Sequence, residues 1–491
     1  MLSRRYFLSF AGLAGLPALG LPLVSGCGDA SVSGPLPGGT KPDALPDDPS
    51  KPWWLRRDYA PVEESEAFDL EVIGALPPTL SGLYLRNGPN PVSGVSDHWF
   101  LGDGMVHGVL LAKGKAPWYR ARYVKTESFG VTSGTGGPPG LKDHQANTSV
   151  LAFRDRLLCL EEVGLPYEVS REDLSTLGPY DFAGELKTPM TAHPKIDPVT
   201  GELVFFGYGV LEAALTYHRV DPSGALVQSE KIPLPKAVMM HDFQITPTHV
   251  VFMDLPIVFD IDLAIGGEGF PYRWAPQNGA RIGVMPRTGT AADVRWVEIE
   301  PCFVFHTWNA FHDAKSPDVI HLDAVRYPTM WSKGASDFST DGRPHRFSIA
   351  AAAGSVTLTQ LDDRFVEFPR INGKQQGAEY RYGYGVASSG PAVPGEVTAA
   401  DQVVKYDRVE GTRQVHSLVT GQEVDEALFV PDPQGHGEDE GWLLAYVFDR
   451  ADNRSQLFVL DATDVTGPPV ARVKLPHRVP HGFHGAFATS G

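Results

Sequence analysis

Asp197-Pro198-Val199-Thr200-Gly201 is followed, one residue later, by Leu203-Val204-Phe205-Phe206-Gly207-Tyr208, and this stretch decides the fold. Asp-Pro sets up a tight turn and Gly closes it, because Asp bonds the backbone ahead of it and Gly accepts positive φ. The run after the turn is apolar, aromatic and β-branched, and too short for a helix of ordinary length, so it reads as a buried strand. The same grammar recurs outward in both directions. Asp221-Pro-Ser-Gly is a second turn of this kind, and Val250–Leu255, Trp442–Phe448 and Gln456–Leu460 are further strands. No amphipathic helix of 15 or more residues stands out in the body of the chain. Short helices are expected at Leu211–Thr216 and within 325–340.

Many short strands with frequent turns, in a chain with 52 glycines and 42 prolines, indicate an all-β architecture. A seven-bladed β-propeller accommodates the body at roughly 60 residues per blade. No sequence repeat of fixed period is visible, although a regular array should carry one. The formal charge of −17 argues against a nucleic-acid partner, which calls for a basic patch. Of three cysteines none forms a CxxC pair, so a thiolate zinc site is not supported. Cys159 and Cys302 sit in apolar runs as ordinary core residues.

The first residues read as an address. Arg4-Arg5 opens a basic segment, an Ala/Gly/Leu-rich run follows to Leu23, and Leu23-Val-Ser-Gly-Cys27 is similar to a bacterial lipoprotein cleavage site. Residues 1–26 are therefore expected to be a twin-arginine, lipoprotein-type signal, with Cys27 as the lipidated residue. Residues 27–52, rich in Gly, Pro, Ser and Asp, are expected to be a flexible linker. Residues 53–491 read as one domain. The expected location is the periplasm or cell envelope, reached by twin-arginine-type export, with membrane association through the lipid anchor.

Sixteen histidines are present, and four lie in short apolar contexts: His193, His241, His306 and His484. Their separations are 48, 65 and 178 residues, close to one, one and three blades. Inner strands of different blades converge on one axis, so these residues can meet there. His477, His481 and His484 have helical spacing, but Pro476 and Pro480 break such a helix. Gly130–Gly140 lacks the Lys-Ser/Thr of a phosphate loop.

Seven further motifs occur in order: Tyr84-Leu-Arg-Asn-Gly-Pro-Asn-Pro, His98-Trp-Phe-Leu-Gly-Asp-Gly-Met, Ala192-His-Pro-Lys-Ile-Asp, His241-Asp-Phe, Phe305-His-Thr-Trp-Asn-Ala, Glu367-Phe-Pro-Arg and Leu475-Pro-His-Arg-Val-Pro-His-Gly-Phe-His-Gly. Together they resemble the carotenoid cleavage oxygenases, from about Leu70 to Phe487. The resemblance implies a seven-bladed propeller with a small helical dome over one face. It implies Fe(2+) on the axis, held by His193, His241, His306 and His484. It implies that Glu162, Glu367 and Glu426 orient three of those imidazoles, with Glu161 as competitor for the first role, and that Thr148 crowds an open iron position.

The implied activity is a non-haem iron dioxygenase that splits a conjugated C=C bond of a carotenoid or apocarotenoid with O2 into two carbonyl products. Alternatives are a stilbene- or phenylpropanoid-cleaving dioxygenase, an iron-dependent isomerase-type relative, and a non-catalytic ligand-binding propeller. A phenolic substrate calls for a Lys/Tyr pair, and Lys125 is a candidate for half of it, with a solvated strand lysine as the plain alternative. Leu101 and His481 depart from the family's usual Asp and Tyr.

Overall fold

The computed structural model describes residues 44–131, 140–210, 212–266, 270–338, 342–390 and 395–489. The signal, Cys27 and most of the linker lie outside the described residues. The end of the linker, from Ala44, lies against the body: Arg56 pairs with Asp47 at 2.8 Å, and Asn453 donates to the Ala44 carbonyl.

The chain is a seven-bladed β-propeller. Blade 1 is built from Ser149–Phe153, Arg156–Leu160, Tyr167–Val169 and Thr176–Pro179, and blade 2 from Lys195–Ile196, Leu203–Tyr208, Ala214–Val220 and Leu226–Pro233. Blade 3 uses Gln244–Ile245, His249–Asp254, Ala280–Pro286 and Arg295–Ile299. Blade 4 uses Phe303–His312, Ile320–Tyr327, Arg343–Ala350 and Ser355–Gln360, and blade 5 uses Val366–Ile371, Tyr382–Ala387, Gln402–Asp407 and Thr412–Ser417. All pairings are antiparallel.

Two blades mix the chain's ends and so close the ring. In blade 6 the innermost strand is broken into Gln422–Val424 and Leu428–Pro431, both paired with Gly441–Asp449. Arg454–Asp461 and Ala471–Lys474 follow, and Val72–Gly74 from the N-terminal part forms the outer edge. In blade 7 Ser65–Phe68, Lys115–Tyr123, Gly104–Ala112 and Gly82–Pro89 are completed on the inside by the C-terminal Gly485–Thr489. Each end is thus held by hydrogen bonds to the other.

The core lies between blades, as sheet packed on sheet. Fully covered rings such as Phe205, Phe206, Phe243 and Trp308 fill it. Among the described residues, two expected helices are not present. Ala214–Val220 is a blade 2 strand, and Leu215↔Ile232 and Tyr217↔Glu230 pair it to its neighbour; residue 211 lies outside the described residues. Val325–Tyr327 ends a strand, and the residues on to Phe338 are turns and bends, because Pro328 removes a donor and Trp331 takes φ +54°. Residues 339–340 of that expected helix lie outside the described residues. Among the described residues, helical structure amounts to Ile261–Gly266 and six short 3-10 turns, and no helix is long and apolar enough to cross a membrane.

The closing seam is tight. A Cβ on Gly485 would stand 2.3 Å from the Leu85 carbonyl oxygen across the blade 7 pairing. Gly485→Ala should therefore lower the unfolding free energy by about 2 kcal/mol, as overpacking against backbone does. Urea titration followed by tryptophan fluorescence measures this, and an unchanged midpoint would remove the seam from the account of closure.

Candidate metal centre

Each blade delivers one position to the axis at or beside its innermost strand. Thr148 precedes the first strand of blade 1, His193 and His241 precede those of blades 2 and 3, and His306 lies within that of blade 4. Glu367 lies within the first strand of blade 5, Glu426 sits in the break of blade 6, and His484 precedes the closing strand of blade 7. Register shifts at Val304/Thr307 and Glu367/Arg370 turn the strand locally where His306 and Glu367 leave the ladder.

The structure brings the four histidines together, with one ring nitrogen from each within 4.8 Å of all the others. His193 Nε2 lies 3.0 Å from His241 Nε2, which lies 3.2 Å from His306 Nε2. The opposite nitrogens face carboxylates. His306 Nδ1 donates to Glu367 at 2.6 Å and His484 Nδ1 donates to Glu426 at 2.8 Å. His241 Nδ1 is paired with Glu162. Glu161 instead accepts from His144 Nδ1 at 2.9 Å and from the backbone N–H of Gln145 and Ala146. Among the described residues, the His193 ring pairs with no carboxylate.

These bonds fix the tautomer of His241, His306 and His484. With Nδ1 carrying the proton, Nε2 presents a bare lone pair to the centre. The His241 and His306 lone pairs, 3.2 Å apart, repel one another, and a cation between them reverses the sign. Two nitrogens bound cis at about 2.1 Å from one ion would be about 3.0 Å apart, which is the spacing seen. The donor set therefore fits a divalent metal with open positions, of the kind imidazole ligands suit.

The electrostatics agree. Burial, reinforced by the other three imidazoles, holds His193 well below its ordinary pKa. Burial takes His484 down to about 4, with Glu426 opposing. Burial would raise Glu426, but Arg370 and His484 hold it at about 2. His241 is the exception: burial would lower it, and Glu162 more than offsets that. A neutral imidazole beside an ionised carboxylate is the state a ligand pair needs.

Several supporting residues escaped sequence reasoning, although most lie inside the quoted motifs. Lys195 donates to Asp242 at 2.7 Å, and Asp242 accepts from the Thr307 N–H and hydroxyl at 2.9 and 2.6 Å. These residues follow His193, His241 and His306 by one or two positions, so one buried ion pair ties three ligand loops together. Phe368 takes φ +51°, stacks on His306 and donates its N–H to Glu367; such strain persists only where the surroundings enforce it. Phe305 packs edge-on to His241. Thr148 accepts the His484 N–H on its carbonyl, and its hydroxyl donates to Asn147 at 3.0 Å. Lys125 is exposed, 3.6 Å from Glu64, and is not brought to the four histidines by any contact described.

His481 stands apart from the four. Its Nδ1 meets Asp425, and its Nε2 lies 2.9 Å from Asp58 and 3.3 Å from Glu423. Arg86 pairs with Asp425 and Arg450 with Glu423, so three carboxylates face three cations when the imidazole is protonated. Burial works against that proton, but the carboxylates win and His481 is held well above its ordinary value.

Comparison with known proteins follows the same lines. The family model described as retinal pigment epithelial membrane protein matches residues 59–489. The carotenoid cleavage oxygenase of Mycobacterium tuberculosis is 38% identical over 490 residues, covering 89% of this chain and 97% of that protein. A solved Pseudomonas brassicacearum lignostilbene dioxygenase superposes with a TM-score of 0.82 at 29% identity, covering 91% of this chain and 99% of that one. A variant of the Synechocystis apocarotenoid oxygenase superposes with a TM-score of 0.80 at 30% identity, covering 89% and 98%. The chain belongs to the carotenoid cleavage oxygenase family.

The His481 cluster makes a pH prediction. The folded chain keeps a proton that the unfolded chain releases near pH 6.5. The stability this provides is fully present below about pH 6.5 and is lost as pH rises through the folded value. Between about pH 7 and pH 9, unfolding free energy should fall with pH by up to about 1.4 kcal/mol per unit, and His481→Gln should flatten that slope. Urea titrations across the range measure it, and equal slopes in both chains would contradict a protonated His481.

Proposed function

We propose that this family member is an iron(II)-dependent dioxygenase that cleaves a conjugated C=C bond of a carotenoid or apocarotenoid with O2. The observation that carries this reading is the convergence of four imidazole nitrogens, three of them fixed by carboxylates. The family's named members supply the reaction class. The balance is simple: the C=C bond and the O–O bond break, two C=O bonds form, and no external reductant is consumed. Bound iron(II) supplies the electron-transfer chemistry that lets O2 react with a closed-shell alkene.

The protein's residues do the rest. His193, His241, His306 and His484 would hold the metal through neutral nitrogens, leaving its charge undiminished. Glu162, Glu367 and Glu426 keep three of those nitrogens, on His241, His306 and His484, aimed and unprotonated. The Thr148 hydroxyl is engaged by Asn147, which leaves its methyl as the group able to crowd a vacant metal position. Phe305 and Phe368 stand against the ligand rings and exclude water from the site. Beyond them an aromatic wall of Phe100, Phe270, Trp331 and Phe338 continues away from Phe305. Stacked and edge-on rings of this kind suit a long, flat, apolar polyene.

A second reading is a stilbene-type substrate, favoured by the similarity to lignostilbene dioxygenase. It needs a group to grip a phenol, and Lys125, exposed and facing Glu64, offers little support for that role.

Iron-loaded protein incubated with an apocarotenal under air should take up about one O2 per alkene cleaved and release two carbonyl fragments, in line with single-turnover stoichiometry. His306→Ala should abolish both. Mass analysis of the products decides it: full-rate cleavage by His306→Ala contradicts the assignment, and cleavage of a hydroxystilbene alone favours the second reading.

A further inference from the structure

The second and third strands of blade 3 are separated by an insertion whose two short strands, Ile257–Phe259 and Tyr272–Trp274, pair with each other. This hairpin touches the metal centre twice, and both contacts converge on one ligand. Along the backbone, Met239 donates to the Ile257 carbonyl at 2.9 Å, Phe259 donates to Ala237 at 3.0 Å, and Val238 bridges to Val258. The hairpin is thus a strand partner for the segment that ends at His241. Through side chains, the Tyr272 ring stands beside the Tyr208 hydroxyl, and Tyr208 in turn donates to Glu162 Oε2. Glu162 Oε1 faces His241 Nδ1. Tyr208 and Tyr272 are 4% and 7% exposed, so water does not compete for these bonds.

The other two glutamates are held differently. Glu367 accepts from Tyr327, on the strand next to His306 in blade 4, at 2.5 Å. Glu426 accepts from Arg370 of blade 5 at 2.7 Å. Neither is tied to an insertion. At the loop end of the pair, Phe270 is stacked on His98 at 4.3 Å and edge-on to Trp331 at 5.3 Å, within the aromatic wall. One element therefore contacts both that wall and the setting of a single ligand.

We propose that the strand pair Ile257–Phe259 and Tyr272–Trp274 is the positioning element for His241, and that Tyr208 and Tyr272 form a hydroxyl relay that sets the direction of its Nε2 through Glu162. The proposal rests on the iron reading of the four histidines and adds an outer layer to it. Tyr208 and Tyr272 act as positioning residues, since each works through Glu162. Loss of the Tyr208 hydroxyl leaves Glu162 Oε2 without its donor and lets the carboxylate rotate away from Nδ1. Loss of the Tyr272 hydroxyl loosens Tyr208 while leaving its bond to Glu162 in place, so its effect is smaller and is contained within that of Tyr208.

The test is Fe(II) affinity under anaerobic conditions by competition with a chelator, together with the visible absorption of the Co(II)-loaded chain, for wild type, Tyr208→Phe, Tyr272→Phe, the double variant and His241→Ala. Tyr208→Phe should weaken Fe(II) binding by about 10- to 100-fold, the range for removing a partner of a ligand. Tyr272→Phe should weaken it less, the double variant should match Tyr208→Phe, and the Co(II) bands should shift in the same sense in all three. A general loss of stability without specific linkage would give additive effects and leave the Co(II) bands in place, which overturns the relay. Wild-type affinity in Tyr208→Phe, with iron lost in His241→Ala, also overturns the relay while leaving the iron reading intact. Iron retained in His241→Ala overturns the iron reading itself, and the relay with it.

Discussion

Imidazole nitrogens whose bare lone pairs are turned to one buried point repel one another unless a cation sits among them. That repulsion is the constraint on which the rest of the structure depends. His193, His241 and His306 approach to 3.0 and 3.2 Å at Nε2, and the surrounding protein works to keep them there. Three glutamates take the protons away to the far side of the rings. Those glutamates are themselves held by Tyr208, Tyr327 and Arg370. The Lys195–Asp242–Thr307 bridge locks the bases of three ligand loops. Strain at Phe368 is tolerated in the same neighbourhood. Without a resident metal this arrangement costs stability; with one it becomes a site set in advance.

A propeller suits this task because its blades share an axis. Each contributes one position, so residues far apart in sequence can meet without any long loop. Three blades supply histidines in succession, the next two supply carboxylates, and the seventh supplies His484 just before the strand that closes the ring. Closure and the proposed metal site therefore use the same few residues. His484 is aimed by Glu426, and Gly485, the next residue, lies tight against Leu85 and donates its N–H to the same glutamate.

The strands and turns were legible from local chemistry. The Asp197 turn forms as read, with its carboxylate accepting from Val199 and Thr200, and Leu203–Tyr208 follows as a blade strand. Among the described residues, the expected helix at 211–216 gives way to pairing with the neighbouring strands of blade 2, and that within 325–340 gives way to a strand end and turns set by Pro328 and the positive φ of Trp331. The absence of a visible repeat also has a physical reason: blades differ in length, blade 3 carries an insertion, and two blades combine both chain ends. At the centre, the histidines were legible as a set only through their motifs. Tyr208 and Tyr272 were not, since a tyrosine at the end of an apolar strand looks like any core residue until its hydroxyl is seen to face Glu162. The charge-balanced cage of His481 was equally hidden, because its partners Asp58, Glu423 and Asp425 come from opposite ends of the chain.

X-ray absorption at the iron edge of the anaerobically loaded chain tests the central claim most directly. The account predicts a nearest shell containing four imidazole nitrogens at about 2.1 Å, with the outer-ring scattering of histidine and no protein carboxylate. A shell with fewer than three imidazoles, or one dominated by carboxylate oxygen, would contradict it.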